Sequence, residues 1–233
     1  MTTNEIKDLV AHKLRSENEK ERALHEPSGK LSAGMLYQPL LEQVLKLIGV
    51  PQKPVDDYTL GLFKRGKQVE EWLVSMLDGE EQVEVEYRNT IGFIDKVLDG
   101  KPVEIKSVKS SQWKWLEKDG VKWSHRLQGG LYALGTDCEE YQVIYVSADD
   151  FRLMCFELHT ADIKDDVDGI ITQVEKQLKK RVLPVFEPRE DWQGKDTYHK
   201  YSNFPEWLSL DENLLMGKLE KQFPDAFNKL TKG

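Results

Sequence analysis

Three side chains within one short stretch carry the reactive chemistry of this sequence: Asp95, Glu104 and Lys106, which flank Asp99-Gly100. Asp-Gly is the preferred pair for a two-residue hairpin turn. Counting outward from that turn sets Asp95 opposite Glu104 and Ile94 opposite Ile105. Side chains alternate along a strand, so Lys106 shares a face with Glu104, and Ile94 and Ile105 are expected to point to the other side, into a core. Like charges directly across a sheet destabilise it. A divalent cation with a preference for oxygen relieves that, because Mg²⁺ is held by one or two carboxylates together with waters and phosphate oxygens. Such an ion polarises a phosphoryl oxygen and supplies hydroxide at neutral pH, and a lysine beside it orients water or offsets developing charge. The plainer reading is a solvated hairpin face on which Lys106 neutralises its neighbours.

The elements that must hold these groups can be read from periodicity. Thr90–Val97 and Pro102–Val108 are β-rich runs either side of the turn, and Val83, Val85 and Tyr87 alternate with Glu84 and Glu86 as a half-buried strand does. Upstream, Val69, Trp72, Leu73, Met76 and Leu77 form the stripe of a helix from Gly66 to Leu77. At about 100° per residue Glu70 sits on the border of that stripe, whereas Glu71, near 200°, faces water. Residues 1–26 read as a polar helix broken at Pro27-Ser28-Gly29, Ser32 introduces a helix that Gly49 and Pro51 end, and residues 52–61 read as a loop. After the hairpin come a helix over 124–135, strands at Tyr141–Val146 and Leu153–Leu158, a helix over Val167–Lys180, an irregular aromatic stretch and a closing helix near 211–222. This order predicts an α/β protein with a mixed sheet flanked by helices and with helical additions at both ends.

The 233 residues are 39% apolar and 32% charged, which excludes a disordered chain and suits a single domain, with a core at about 30–185 and an extension at about 186–233. No apolar run reaches the ~20 residues of a membrane helix. The charged N-terminus lacks a signal peptide, and Cys138 and Cys155 cannot build a disulfide framework. A soluble protein of the cytoplasm, or of the host cytoplasm if viral, is the expectation. The net charge of −8 argues against a nucleic-acid partner on average, but Asp95 to Arg126 holds eight basic residues against five acidic ones.

Four short motifs in order then add to the hairpin: Gly66-x-x-x-Glu70, Gly92-Phe93-Ile94-Asp95, Glu104-Ile105-Lys106 and Gln128-x-x-x-Tyr132. Together they resemble the PD-(D/E)XK nuclease superfamily, in its RecB-like and phage-exonuclease branch, over roughly residues 30–185. The resemblance implies a restriction-endonuclease-like core. It implies that Asp95, Glu104, Glu70 and the carbonyl of Ile105 hold one or two Mg²⁺ or Mn²⁺ ions, with Lys106 as the catalytic lysine. Gln128 and Tyr132, four apart on one helical face, would meet the DNA strand or the carboxylates. Relatives with an iron–sulfur cluster carry four cysteines, and neither Ser32–Pro39 nor Trp192–Tyr201 has one, so no cluster is expected. The proline that names the superfamily is also absent.

Between Lys106 and Gln128, Trp113, Trp115 and Trp123 are interleaved with Lys109, Lys114, Lys118, Lys122 and Arg126. Aromatics that stack on bases among lysines that track phosphates hold single strands. The bland alternative is an extra hairpin, turning at Lys118-Asp119-Gly120, whose tryptophans pack on the body. Lys109, Trp113 and Arg126 are the candidate substrate contacts here, and Lys30 is a further candidate for a terminal phosphate. The leading expectation is a metal-dependent DNA exonuclease of phage or mobile-element type that leaves 5′-phosphates. A catalytically silent recombination accessory and a site-specific endonuclease stay open as alternatives, as do a homo-oligomer and a recombination partner protein.

Overall fold

The computed structural model describes residues 2–24, 29–187 and 202–232. The break expected at Pro27-Ser28 and the stretch Trp192–Tyr201 lie outside the described residues. One six-stranded mixed sheet organises the rest, with β1 (Leu31–Ser32), β2 (Glu81–Tyr87), β3 (Thr90–Leu98), β4 (Lys101–Val108), β5 (Glu140–Ser147) and β6 (Leu153–His159). The order is β1-β3-β4-β5-β6, with β2 also paired to β3; β1–β3 and β4–β5 are parallel and the other pairs antiparallel. The hairpin turn falls where expected. Asp99 (φ 49°) and Gly100 (φ 79°) both take positive φ, as a primed two-residue turn requires.

Each face of the sheet buries a separate core. Helices α5 (Trp123–Gly135) and α6 (Lys164–Lys180) cover one face, where Leu127, Leu131 and Ile171 meet Ile94, Tyr141, Val143 and Tyr145. Helix α3 (Asp57–Met76) covers the other, where Val69 and Leu73 meet Val103, Ile105, Ile144 and Val146. Alternation along β5 thus feeds both cores, which is the pattern of a strand buried on both sides. A third cluster joins α2 (Leu40–Ile48) to α7 (Glu212–Gln222) and α8 (Pro224–Lys232) through Leu41, Val44, Leu45, Phe204, Trp207, Leu215 and Leu219.

Three expectations change. Residues 57–61 are not loop: α3 starts at Asp57, where the Asp56 carboxylate caps Thr59 N–H at 3.0 Å. The first turns of α3 bury little apolar surface and are held instead by ion pairs to α1 (Thr3–Leu24), namely Arg15–Asp57 (3.2 Å), Lys64–Glu17 (3.1 Å) and Lys67–Glu21 (2.9 Å), so no hydrophobic stripe marks them. Ser32 ends β1, and the helix after it begins at Leu40, behind Pro39. The tryptophan-rich segment forms α4 (Trp113–Asp119) in place of a hairpin, because Trp113 and Leu116 lie one turn apart and both enter the core. Helix α8 was not anticipated from the sequence; Pro224 opens it.

Candidate active site

The hairpin is paired only near its turn. Leu98–Lys101, Val97–Pro102 and Lys96–Val103 are in register, and the ladder stops there. One step further β3 continues against β2, with Ile94 beside Val83, while β4 continues against β5, with Glu104 beside Val143. The sheet therefore opens between Asp95 and Glu104. Asp95 turns into that opening and accepts the Ile105 N–H at 2.7 Å, a bond that strand pairing would otherwise supply. Because the strands diverge, Ile94 and Ile105 do not lie together beneath the site as expected: Ile94 enters the core under α5 and Ile105 the core under α3.

Each neighbouring element brings one group to the opening. From α3, Glu70 accepts the Ser107 N–H at 2.8 Å, while Glu71 stays exposed, as the helical angle predicts. Gly66 makes this approach feasible, since a Cβ there would stand 2.9 Å from Ser107 Oγ. From α5, Gln128 Nε2 donates to the Tyr132 hydroxyl at 2.8 Å. The Tyr132 ring lies over Gly92, where a Cβ would fall 2.5 Å from its Cε1. From β4, Glu104 is wholly buried and ion-paired with Lys106, which keeps a quarter of its side chain exposed.

The electrostatics of this cluster are strained. Burial pushes the Glu104 carboxyl up to about 8, against the pull of Lys106, and Asp95 and Glu70 add to the rise. Burial also raises Asp95, again opposed by Lys106 and by the Ile105 N–H. Burial alone would lower Lys106, yet Glu104 and Asp95 outweigh it and hold the ammonium above its ordinary value. Lys106 therefore stays a cation and is no base. Glu104 Oε2 is buried without a hydrogen-bond partner, and such an orphan costs about 1–3 kcal/mol, more if charged.

Two groups near Lys106 escaped sequence reasoning. His125 Nδ1 lies 2.8 Å from the Tyr145 hydroxyl, which also accepts the Lys122 N–H at 3.1 Å. Burial, with Lys106 and Lys122 nearby, holds the His125 imidazole down to about 3, so it is neutral at working pH. Its signal was helical spacing: residues 125, 128 and 132 share one face of α5.

The remaining candidates are dispersed. Lys109 lines a groove of ≈ 570 Å³ that Glu70 and Ser107 also line. Trp113 is 6% exposed in the core, with the Arg152 guanidinium 4.8 Å from its ring, so its face is not free to stack on a base. Trp115, 64% exposed, keeps a free face apart from Lys118. Arg126 turns away from Gln128 on α5; its carbonyl accepts the Tyr141 hydroxyl at 3.1 Å. Lys30 pairs with Glu86 on β2, away from the carboxylates.

Among the described residues, no three His, Cys, Asp or Glu side chains converge closely enough to hold an ion in this arrangement. The donors nonetheless suit a hard cation in type. Asp95, Glu104 and Glu70 offer carboxylate oxygen at one opening, and the orphaned, buried Glu104 is what a cation would satisfy.

A mixed sheet whose central hairpin opens at its carboxylates, between α3 on one face and α5 on the other, is a restriction-endonuclease-like α/β core. It is the architecture that the PD-(D/E)XK resemblance implies. No family model matches the chain, and no curated protein matches it in sequence. Solved structures do. A protein named SSO0001 is 17% identical, with a TM-score of 0.50 over 85% of this chain and 94% of its own. An alkaline exonuclease from Laribacter hongkongensis is 14% identical, with a TM-score of 0.48 over 66% and 92%. A phage related exonuclease from Haemophilus somnus 129PT is 13% identical, with a TM-score of 0.45 over 65% and 96%. At these identities the likeness concerns the fold. Among the described residues no helix is long and apolar enough to cross a membrane.

Proposed function

We propose that this chain is a divalent-metal-dependent DNA nuclease that acts as an exonuclease. The observation that carries the reading is Glu104: a wholly buried carboxylate, with one oxygen lacking any donor, at the point where β3 and β4 part. Asp95, Glu104, Glu70 and the Ile105 carbonyl would hold Mg²⁺ or Mn²⁺. The ion would supply Lewis-acid polarisation of the phosphoryl group and hydroxide at neutral pH.

The protein's own groups do the rest. Lys106 stands in for the cation beside Glu104 and, once displaced, offers a fixed positive charge to a non-bridging phosphate oxygen. It keeps its proton throughout, so it positions and neutralises but takes no proton from water. Gln128 fixes the Tyr132 hydroxyl, and that ring wedges α5 against β3 at Gly92, closing the opening on one side. Neutral His125 keeps a second charge away from Lys106. In-line attack on the phosphodiester then leaves a 5′-phosphate and a 3′-hydroxyl.

The test is degradation of linear DNA with magnesium or manganese. The wild type should cut while Lys106→Ala and Glu104→Ala do not; equal rates for all three would refute the reading. Closed circular DNA should resist, and cutting it would make the protein an endonuclease of the same fold.

A further inference from the structure

The groove beside Glu70 holds more positive charge than the candidate site explains. Arg65, Gly66, Lys67 and Glu70 of α3 line one wall, and Ser107, Lys109 and Gln112 line the other. Lys67 is committed to Glu21 of α1 at 2.9 Å. Lys109 makes no ion pair among the described residues, and the Arg65 guanidinium has one long contact, 3.8 Å from Asp149 Oδ1. Asp149 is otherwise engaged, since its Oδ2 accepts both the N–H (2.8 Å) and the hydroxyl (2.7 Å) of Ser110. Arg65 Nε is buried and has no hydrogen-bond partner. A buried donor with no acceptor is costly, and an anion in the groove would remove that cost. The one carboxylate lining the groove, Glu70, already accepts the Ser107 N–H.

We propose that this groove is a second phosphate subsite, with Arg65 and Lys109 gripping a backbone phosphate of a DNA strand next to the scissile one. The proposal rests on the nuclease reading for its direction, since it extends the strand's path from the metal ligands past Glu70. Arg65 precedes Glu70 by five residues, about 7.5 Å along the helix axis. That rise corresponds to about two nucleotide steps of a B-form strand. Arg65 suits the task because its fork presents several donors to one phosphate, while Lys109 contributes a point charge from the facing wall. The groove then acts on substrate binding and leaves the chemical step alone.

The test is built so that the two readings fail separately. Binding of a fluorescent single-stranded oligonucleotide is measured by anisotropy in chelator, where nothing is cut, for wild type and for Arg65→Gln/Lys109→Gln. We expect the double variant to bind at least tenfold more weakly, with its salt slope reduced by about 1.4, at about 0.7 per lost phosphate contact. An unchanged melting temperature shows that the variant is folded, as both side chains reach solvent. With metal present, the variant should raise KM and leave kcat unchanged. A single neutral methylphosphonate linkage near the cut should raise KM for the wild type and have no further effect on the variant. Unchanged affinity and salt slope overturn the proposal even if the protein is a nuclease. A protein that binds as expected but never cuts overturns the nuclease reading and leaves the groove assigned. If millimolar inorganic phosphate stabilises the wild type and not the variant, while oligonucleotide affinity is the same for both, the groove takes free phosphate and the proposal falls.

Discussion

The two ends of the β3–β4 hairpin obey different rules. Near the turn, three residue pairs stay in register and Asp99 and Gly100 adopt the positive φ that a tight turn demands. At the other end, one step past Lys96–Val103, the ladder stops, Asp95 replaces a strand as partner to Ile105, and Glu104 is buried beside a lysine. Local pairing explains the first end completely. The second makes no sense as a way to stabilise a sheet, because it leaves a buried carboxylate oxygen without a donor. Strain that a fold tolerates in one place and avoids a few residues away points to function there.

The largest effect should come from removing charge at the open end. Glu104→Gln and Lys106→Ala should each lower metal-dependent DNA cleavage by about two to three orders of magnitude. The same changes near the turn, such as Lys101→Ala, should leave it within a factor of a few. A loss confined to KM would break the distinction.

Stability against pH sharpens it further. The folded protein holds the Glu104 proton up to about 8, while the ordinary carboxylate value is 4.5. This contribution is therefore full below the lower value and is lost as pH rises through the upper one, by an amount on the order of a few kcal/mol. Lys106 stays charged across that window and adds no slope. In chelator the wild type should melt progressively lower from pH 4.5 to 8, and Glu104→Gln should flatten that limb. His125 acts in the opposite sense. Its folded value is held to about 3 from 6.5, so its contribution is present above 6.5 and lost as pH falls, and His125→Gln should soften the acid limb.

Backbone crowding offers the smallest contrast. Gly92→Ala would drive a Cβ into the Tyr132 ring and should cost about 1–3 kcal/mol together with a loss of activity, because Tyr132 and Gln128 move with it. Gly100→Ala, with open space around it but φ 79°, should cost about 1 kcal/mol and leave activity unchanged. Thermal melts paired with rates would read both.

Where the chemistry is local, the sequence is legible. The hairpin register follows from Asp-Gly, the choice of Glu70 over Glu71 from helical angle, and the mixed sheet from the order of periodic segments. What could not be read depends on contacts distant in sequence. That Ile94 and Ile105 serve different cores is set by β2 and β5 drawing the hairpin strands apart. The start of α3 is anchored by ion pairs to α1, which leave no apolar stripe. Trp113 and Trp115 look alike in sequence, and only the packing of α4 makes one core and the other surface. Arg65 and His125 gave no signal because each matters through a neighbour brought in by tertiary structure, the groove wall in one case and Lys106 in the other.

The most direct measurement is a calorimetric titration of the metal-free protein with Mn²⁺ near pH 7 in buffers of different ionisation enthalpy. A carboxyl protonated at that pH must surrender its proton to a ligating cation. The account predicts saturable binding with close to one proton released per protein, and neither binding of that strength nor proton release in Glu104→Gln. Binding that is absent, or identical in the wild type and Glu104→Gln with no proton released, would contradict it.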